Sequence, residues 1–311
     1  MMIDGDNNDD NNNNNGFLPT SSSSSSFFFS SSFSPSSSST SSYQSRITTS
    51  SKEKKSPIVL ALDFYLENFN NNNKDLFKKC KEFISSTGSQ ICAIKINFHL
   101  LLSLSNIQIL ELNSLAHKLN IQSIVDIKLN DIGNTNIVTV NRLQKLGFDA
   151  VIVNPIIGIT EMKALVSHAH SINFGIISLV YMSHPTSFEG YGLKIISSSI
   201  TNNNNNKSDD DIITCRDIIP MYHLLYNYAR SSRCDGIVIG ATKQDIIKEI
   251  SKLNDRISIY SPGLLTQGGL VDEATKAGTD YFIIGRHILS SSSPVNTIKL
   301  IIEQIRQNKR F

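Results

Sequence analysis

The sequence has no continuous run of eighteen apolar residues, the length that lets a helix cross a membrane. Its charges nearly cancel, because 29 basic and 27 acidic residues leave a formal net charge of +2. So small an excess gives no general attraction to nucleic acid. The four cysteines, Cys80, Cys92, Cys215 and Cys234, have no metal-binding or redox spacing. We therefore expect a cytoplasmic protein with reduced, structural thiols, and neither a membrane nor a nucleic acid as its partner.

Residues 1–56 also lack the apolar content of a folded domain. Asparagines at 11–15 and serine runs at 21–26 and 36–39 dominate the segment, so it cannot bury enough apolar surface to offset the entropy lost on ordering. We predict a disordered extension. Its acidic start disfavours a signal peptide and a mitochondrial presequence, although Arg46 and the many serines leave a presequence open.

From residue 57 onward, strand-like and helix-like segments alternate. A polar stretch at 196–211 interrupts this alternation. It has the same low-complexity composition as the amino terminus, and we interpret it as a flexible insertion. Thr242 is a plausible amino-terminal cap for the helix that starts there. The predicted strands are 58–63, 91–96, 122–127, 149–154, 173–181, 235–240, 257–260 and 281–284. The predicted helices are 74–85, 106–120, 136–146, 158–171, 217–233, 242–254, 270–277 and 295–309.

Eight such pairs within residues 57–311 match the length and alternation of an α/β protein with a (β/α)8 TIM barrel. An open doubly wound sheet is the alternative, and it would usually carry a glycine-rich dinucleotide turn after its first strand. The residues at that point, Asp63-Phe-Tyr-Leu, form no such turn. We therefore favour the barrel, in which an active site gathers at the carboxyl ends of the strands.

The third predicted strand ends in a charged stretch, Asp126-Ile-Lys-Leu-Asn-Asp131. Because side chains alternate along a strand, we expect Asp126 and Lys128 on the same face, where each favours the charged form of the other. Asp131 follows on a loop and could point elsewhere. The same spacing also occurs on solvated loops, so its place at a strand end is what favours catalysis.

Other polar residues fall at predicted strand ends as well. Lys95 lies in an otherwise apolar strand, where an unpaired ammonium is costly to bury, so we expect a carboxylate beside it. Gly268, Gly269 and Arg286 follow the seventh and eighth strands, where such barrels bind phosphate. The remaining rim candidates are Asp63, Ser183 and His184, and no role is assigned to His184.

With these residues in place, the chain resembles the orotidine 5'-phosphate decarboxylase family over residues 57–311. The matching segments occur in the family's order and on the expected strands. Thr186 and Gly133 are mild departures, since many relatives carry glycine and proline there. The segments are Leu60-Ala-Leu-Asp63, Ile94-Lys-Ile96, Asp126 to Thr135, Met182-Ser-His-Pro185, Pro262 to Gly269 and Ile284-Gly-Arg286.

The resemblance implies a conversion of orotidine 5'-monophosphate to uridine 5'-monophosphate and carbon dioxide, with no cofactor and no metal. Lys128 would protonate C6 of the pyrimidine, and Asp126 would lie against the substrate carboxylate. Lys95 and Asp63 would hold the ribose, and Lys95 would also complete an alternating array of lysines and aspartates.

The resemblance further implies a homodimer with shared active sites. Asp131 and Thr135 would reach across its interface into the neighbouring site, and Ser183 would face the pyrimidine. Gln267 and Arg286 would bind the phosphate, and the other implied substrate-binding residue is Gly285.

Two alternatives stay open. A magnesium-dependent sister enzyme, 3-keto-L-gulonate 6-phosphate decarboxylase or hexulose-phosphate synthase, needs a further carboxylate near strand two, where this chain has Lys95-Ile-Asn97. A catalytically silent barrel would keep the polar groups and bind a nucleotide or a partner protein, and the insertion at 196–211 could disturb its site. Residues 1–56 are too short and too polar for the orotate phosphoribosyltransferase domain fused to some members, so we expect a monofunctional chain.

Overall fold

The computed structural model describes residues 41–200 and 213–309. Within them, eight strands run parallel: β1 (Ile58–Leu62), β2 (Ala93–Asn97), β3 (Gln122–Leu129), β4 (Ala150–Val153), β5 (Gly175–Tyr181), β8 (Gly236–Ile239), β9 (Ile259–Ser261) and β10 (Tyr281–Ile284). They pair in the order β1-β2-β3-β4-β5-β8-β9-β10, and β10 returns to β1, which closes a barrel. The predicted (β/α)8 fold is confirmed. The remaining strands, β6 (Lys194–Ile200) and β7 (Ile213–Pro220), form an antiparallel hairpin.

The helices follow the strands in sequence and pack around the barrel. In the described part of the chain, none is long and apolar enough to cross a bilayer. Short 3-10 turns lie at Leu66–Phe69, Pro155–Ile157 and Pro185–Ser187. The helices are α1 (Tyr43–Lys54), α2 (Asn73–Thr87), α3 (Phe98–Ser103), α4 (Asn106–Lys118), α5 (Gly133–Lys145), α6 (Ile159–Ser171), α7 (Phe188–Tyr191), α8 (Met221–Ser231), α9 (Gln244–Ser251), α10 (Val271–Ala277), α11 (Arg286–Leu289) and α12 (Pro294–Asn308).

Alternating side chains along the strands build two apolar layers. In β1, Leu60 and Leu62 belong to the outer layer against the helices, whereas Val59 and Ala61 belong to the layer inside the barrel. All four are buried. Polar residues at inner positions near the carboxyl ends of the strands therefore stand above a closed apolar interior and face the barrel mouth. The inner layer includes Ala93, Ile124, Ala150, Ile152, Ile177, Leu179, Val238, Tyr260 and Ile283.

Helix α1 corrects part of the prediction that residues 1–56 are disordered. Tyr43 and Ile47 lie one turn apart and are buried at the amino-terminal end of the barrel, where the Tyr43 hydroxyl is 3.3 Å from that of Tyr260. Composition did not predict this helix because few residues in α1 are apolar. The helix is stabilised by packing against the floor of the barrel, which it closes. Residues 1–40 lie outside the described residues.

The hairpin corrects part of the prediction for residues 196–211. Residues 196–200 continue β6, and Ile196 pairs with Ile218 of β7. The helix predicted from residue 217 therefore starts only at Met221, after β7 has ended. Residues 201–212 lie outside the described residues.

Helix α9 corrects the predicted cap. It begins at Gln244, and Thr242 instead donates its hydroxyl hydrogen to the carbonyl oxygen of Ser183 at 3.1 Å.

Candidate active site

Three charged side chains meet at the barrel mouth. Lys95 in β2 and Asp126 in β3 occupy inner positions two residues beyond Ala93 and Ile124. Lys95 Nζ donates to Asp126 Oδ2 at 2.9 Å, and Lys128 Nζ donates to Asp126 Oδ1 at 2.9 Å. Each carboxylate oxygen thus has its own ammonium. The carboxylate expected beside Lys95 is confirmed, and Lys128 contacts Asp126 as expected.

Neighbouring charges decide the protonation state of Asp126. The side chains of Lys95 and Asp126 are only 6% and 13% exposed. Burial alone favours the neutral acid, but attraction to the ammonium groups of Lys95 and Lys128 outweighs it and lowers the pKa of Asp126 to about 2. The mouth of the barrel therefore carries a fixed anion between two cations.

Lys128 lies on an irregular stretch of β3. The ladder to β4 pairs Asp126 with Ile152 and Leu129 with Val153, so β3 contains two extra residues between consecutive pairs. Lys128 adopts φ +47°, a left-handed conformation that costs a residue with a side chain about 1–3 kcal/mol. The side chain is 41% exposed and reaches Asp126 from this bulge.

Asn97, a residue with no predicted role, links the charged cluster to Asp63. Its side-chain oxygen accepts a hydrogen bond from Lys95 Nζ, and its amide nitrogen donates to Asp63 Oδ1. A continuous row of polar side chains, Asp63-Asn97-Lys95-Asp126-Lys128, therefore crosses the ends of β1, β2 and β3. The sequence did contain a signal for this, because Asn97 follows Lys95 by two residues and so shares its strand face.

A cavity of about 370 Å³ opens above this row. Lys95, Asp126 and Lys128 line one part of it, and apolar inner residues of the neighbouring strands line another, so a flat ring can pack on carbon while it meets charge at its edge. His184 lies on the wall as well. The apolar lining residues are Ile152, Leu179, Met182, Val238, Pro262 and Ile283.

A smaller cavity of about 90 Å³ adjoins the first and shares Lys95, Ser183 and Gln267 with it. Ser183 Oγ donates to Gln267 Oε1 at 2.6 Å, which joins the loop after β5 to the loop after β9. Gly285 and Arg286 line the same small cavity at the start of α11. A guanidinium beside a polar loop suits an anionic group, as expected for this end of the site.

Asp131 and Thr135 are the predicted site residues that this single chain leaves apart. Asp131 precedes α5, is exposed, and accepts a hydrogen bond from the backbone amide of Ile132 at 2.7 Å. Thr135 is exposed on α5. Neither residue is among the described residues that line the two cavities.

Comparison with known proteins covers the same part of the chain. Residues 56–301 match the family described as Orotidine 5'-phosphate decarboxylase / HUMPS family. The chain is 30% identical over 250 residues to orotidine 5'-phosphate decarboxylase of Pyrococcus horikoshii, which covers 80% of this chain and 99% of the relative. The enzyme of the same name from Pyrococcus abyssi is 28% identical over 250 residues, with 80% and 99% covered.

The chain also resembles a crystal structure of the Pyrococcus horikoshii enzyme. It matches with a TM-score of 0.59 and 28% identity, over 80% of this chain and 99% of that one. The matched residues include the barrel, the charged row at its mouth and the loop that carries Gln267. The chain belongs to the orotidine 5'-phosphate decarboxylase / HUMPS family.

Proposed function

We propose that this chain is an orotidine 5'-phosphate decarboxylase, which converts orotidine 5'-monophosphate to uridine 5'-monophosphate and carbon dioxide in pyrimidine biosynthesis. The observation that carries the proposal is the Lys95-Asp126-Lys128 cluster, which faces a cavity whose other end holds Gln267 and Arg286. A carboxylated ring at one end of a ligand and a phosphate at the other fit these two groups of charges.

The reaction breaks the bond between C6 and the carboxylate and leaves the electron pair on C6, with no adjacent carbonyl to delocalise it. Enzymes lower barriers by about 8 to 23 kcal/mol, and this reaction needs the upper part of that range. Since the proposed chemistry uses no cofactor, preorganised charge has to supply the stabilisation. In this proposal, the two lysines around Asp126 supply that preorganised positive charge.

In the proposed mechanism Asp126 lies against the substrate carboxylate. Two such charges about 4 Å apart repel by roughly 4 kcal/mol at an effective dielectric of 20, and the departure of neutral carbon dioxide relieves that repulsion. Lys128 Nζ then gives a proton to C6 and becomes a neutral amine. Its partly exposed side chain regains a proton from solvent.

The other proposed roles are those that the family resemblance implies, and the positions of these residues along the two cavities support them. Lys95 and Asp63, connected through Asn97, hold the ribose, and Ser183 faces the pyrimidine. Phosphate contacts far from C6 supply binding energy for closing the loop at 264–268 over the substrate. The phosphate-binding residues in this proposal are Gln267, Gly285 and Arg286.

A magnesium-dependent sister enzyme has less support from this geometry. Both oxygens of Asp126 already accept hydrogen bonds from ammonium groups, and Asn97 stands beside Asp63 where a further carboxylate would be needed. Cations at these distances compete with a divalent ion for the same oxygens.

We also propose that two copies of the chain form a homodimer, with Asp131 and Thr135 contributed to the neighbouring site. Ile132 and Val138 in the same segment are 72% and 68% exposed, and Val138 is one turn from Thr135 on α5. An apolar surface of this kind beside polar residues suits a subunit interface.

A mixing experiment tests the shared site. We expect Asp131→Ala and Lys128→Ala to be inactive separately and, when mixed and allowed to exchange subunits, to regain about a quarter of the native sites. Two folded variants that exchange subunits without any recovery would rule the shared site out.

A cytoplasmic location completes the proposal. Cys80, Cys92 and Cys234 are buried free thiols, and thiols persist in reducing compartments.

The decisive experiment follows the loss of orotidine 5'-monophosphate absorbance with a chelator present. We expect turnover by the unmodified chain and a loss of at least about 10⁴-fold in Lys128→Ala. Lys299→Ala, which removes an exposed lysine of α12, is the matched control and should keep full turnover. A folded chain that binds uridine 5'-monophosphate without turnover would point to the silent barrel, and activity on sugar phosphates with magnesium to the sister enzymes.

A further inference from the structure

Ser183 is enclosed by the ends of two neighbouring strands. A Cβ atom on Gly240, after β8, would lie 2.4 Å from Ser183 Cα, and one on Gly263, after β9, would lie 2.5 Å from Ser183 Cβ. Gly263 also has φ +88°, which favours glycine. Three loops of the rim, those after β5, β8 and β9, therefore meet at this one serine.

The segment 240–242 fastens these loops together. The backbone amide of Ala241 donates to the carbonyl oxygen of Pro262 at 2.8 Å, which holds the loop after β9. The Thr242 hydroxyl donates to the carbonyl oxygen of Ser183 at 3.1 Å, which holds the loop after β5. Of these two attachments, only the second is made by a side chain, and so only it can be removed by a conservative substitution.

We propose that Thr242 is a positioning residue for the decarboxylation. Its hydroxyl fixes the Ser183 backbone, and Ser183 Oγ in turn donates to Gln267 Oε1 at 2.6 Å. Thr242 thereby sets the separation between the pyrimidine contact and the phosphate contact of the bound substrate. The inference rests on the proposed function, and it deepens that function by naming a residue that touches neither the substrate nor the charged cluster.

A defect in this attachment acts on binding more than on chemistry. Lys128 and Asp126 lie on β3, which β4 separates from β5, and their mutual hydrogen bond involves neither Ser183 nor Thr242. Loss of a contact made equally in the ground state and the transition state raises KM and leaves kcat nearly unchanged. We expect Thr242→Val to raise KM by about three- to ten-fold, the effect of one hydrogen bond.

The experiment compares Thr242→Val, Thr242→Ser, Ser183→Ala and the double variant Ser183→Ala with Thr242→Val. Thr242→Ser keeps the hydroxyl and should restore most of the native KM. If Thr242 acts through Ser183, the double variant should match Ser183→Ala within about two-fold, because effects in one hydrogen-bond network are not additive. Thr275→Val removes a comparable hydroxyl-to-carbonyl bond inside α10, at 2.7 Å, and should leave KM unchanged.

Three results would overturn the inference: a Thr242→Val defect that multiplies fully with that of Ser183→Ala, a defect that falls on kcat alone, or an unchanged KM in Thr242→Val. Each of these results compares variants of an active enzyme. Absence of turnover in the unmodified chain would instead overturn the proposed function, and the change in uridine 5'-monophosphate affinity between unmodified chain and Thr242→Val would then test the positioning.

Discussion

Two aspartates at opposite ends of the barrel have similar surroundings and different consequences. Asp126 at the mouth accepts hydrogen bonds from Lys95 and Lys128. Asp149 at the floor accepts from Arg46 Nη2 at 3.3 Å and lies 2.9 Å from His117 Nε2. Their side chains are 13% and 12% exposed, so burial does not distinguish them. The two aspartates differ in the structural elements that carry their basic partners.

The basic partners of Asp149, Arg46 and His117, lie on helices α1 and α4, which pack against the barrel. Asp149 Oδ2 also accepts the backbone amide of Ser123 at 2.8 Å, and Arg46 on α1 donates further to Gln122 and to the carbonyl oxygen of Asn173. This network binds α1 to the barrel. Lys128 at the mouth stands instead on a strained bulge beside a cavity. The same chemical pattern therefore supports stability at one end and, in our proposal, catalysis at the other.

For the comparison of the two aspartates, the largest expected effect comes from Asp126→Asn. The substitution keeps the shape of the side chain and removes the anion between two lysines, so we expect kcat/KM to fall by about 10³-fold. Steady-state turnover of orotidine 5'-monophosphate measures the loss, beside Asp149→Asn as the matched substitution at the floor. If Asp126→Asn turned over at the native rate, the proposed difference between the two ends would be wrong.

Next in size is Tyr43→Ala, which opens a cavity at the floor. Tyr43 is 2% exposed and packs against Tyr260, so we expect the free energy of unfolding to fall by about 3 kcal/mol. Urea denaturation measures this change. Phe188→Ala, at an aromatic residue that is 58% exposed, should change stability by less than about 0.5 kcal/mol. An equal loss in both variants would show that α1 does not close the floor as described.

The contrast between the two ends also explains which features could be predicted. The strand ends at Lys95 and Asp126 carry charge in apolar surroundings, and period-two alternation is enough to place these two side chains at inner positions. The left-handed backbone of Lys128 could not be predicted from the sequence pattern, because the bulge depends on how β3 pairs with β4.

Helix α1 was missed for a different physical reason. Its buried face consists of Tyr43, Ile47 and Ser50, a narrow stripe in a serine-rich segment. Its stability comes from contacts with residues far along the chain, such as the Ser50 hydroxyl 2.8 Å from the carbonyl oxygen of Cys92. Local composition cannot report such contacts.

A smaller effect is expected from Asp149→Asn, which breaks the floor network and leaves the mouth intact. Breaking a fully buried ion pair costs about 3–5 kcal/mol. Because Arg46 and His117 are 24% and 44% exposed, we expect a loss of about 2 kcal/mol in the free energy of unfolding, with kcat per folded enzyme unchanged. A fall in kcat without a fall in stability would reverse the assignment of the two aspartates.

The smallest expected effect is a difference between the two ends in how they contribute to the pH dependence of the free energy of unfolding. A hydrogen bond to Asp149 raises the pKa of His117 above its ordinary value of 6.5. A raised folded-state pKa gives stability that is present in full below 6.5 and is lost as the pH rises through the folded value. Since the ring is partly exposed, the contribution is no more than about 1 kcal/mol.

We therefore expect His117→Gln to flatten the decline in stability that begins above about pH 6.5, measured by urea denaturation. The His170 pKa, raised by a hydrogen bond to Asp235, keeps a residual slope in both proteins, so the difference between the two curves isolates His117. Asp126 adds nothing to that difference, because its pKa of about 2 leaves it ionised throughout the range. A variant with the full native slope would remove His117 from the floor network, whereas an altered slope in Asp126→Asn would show that the mouth also contributes to stability in this range.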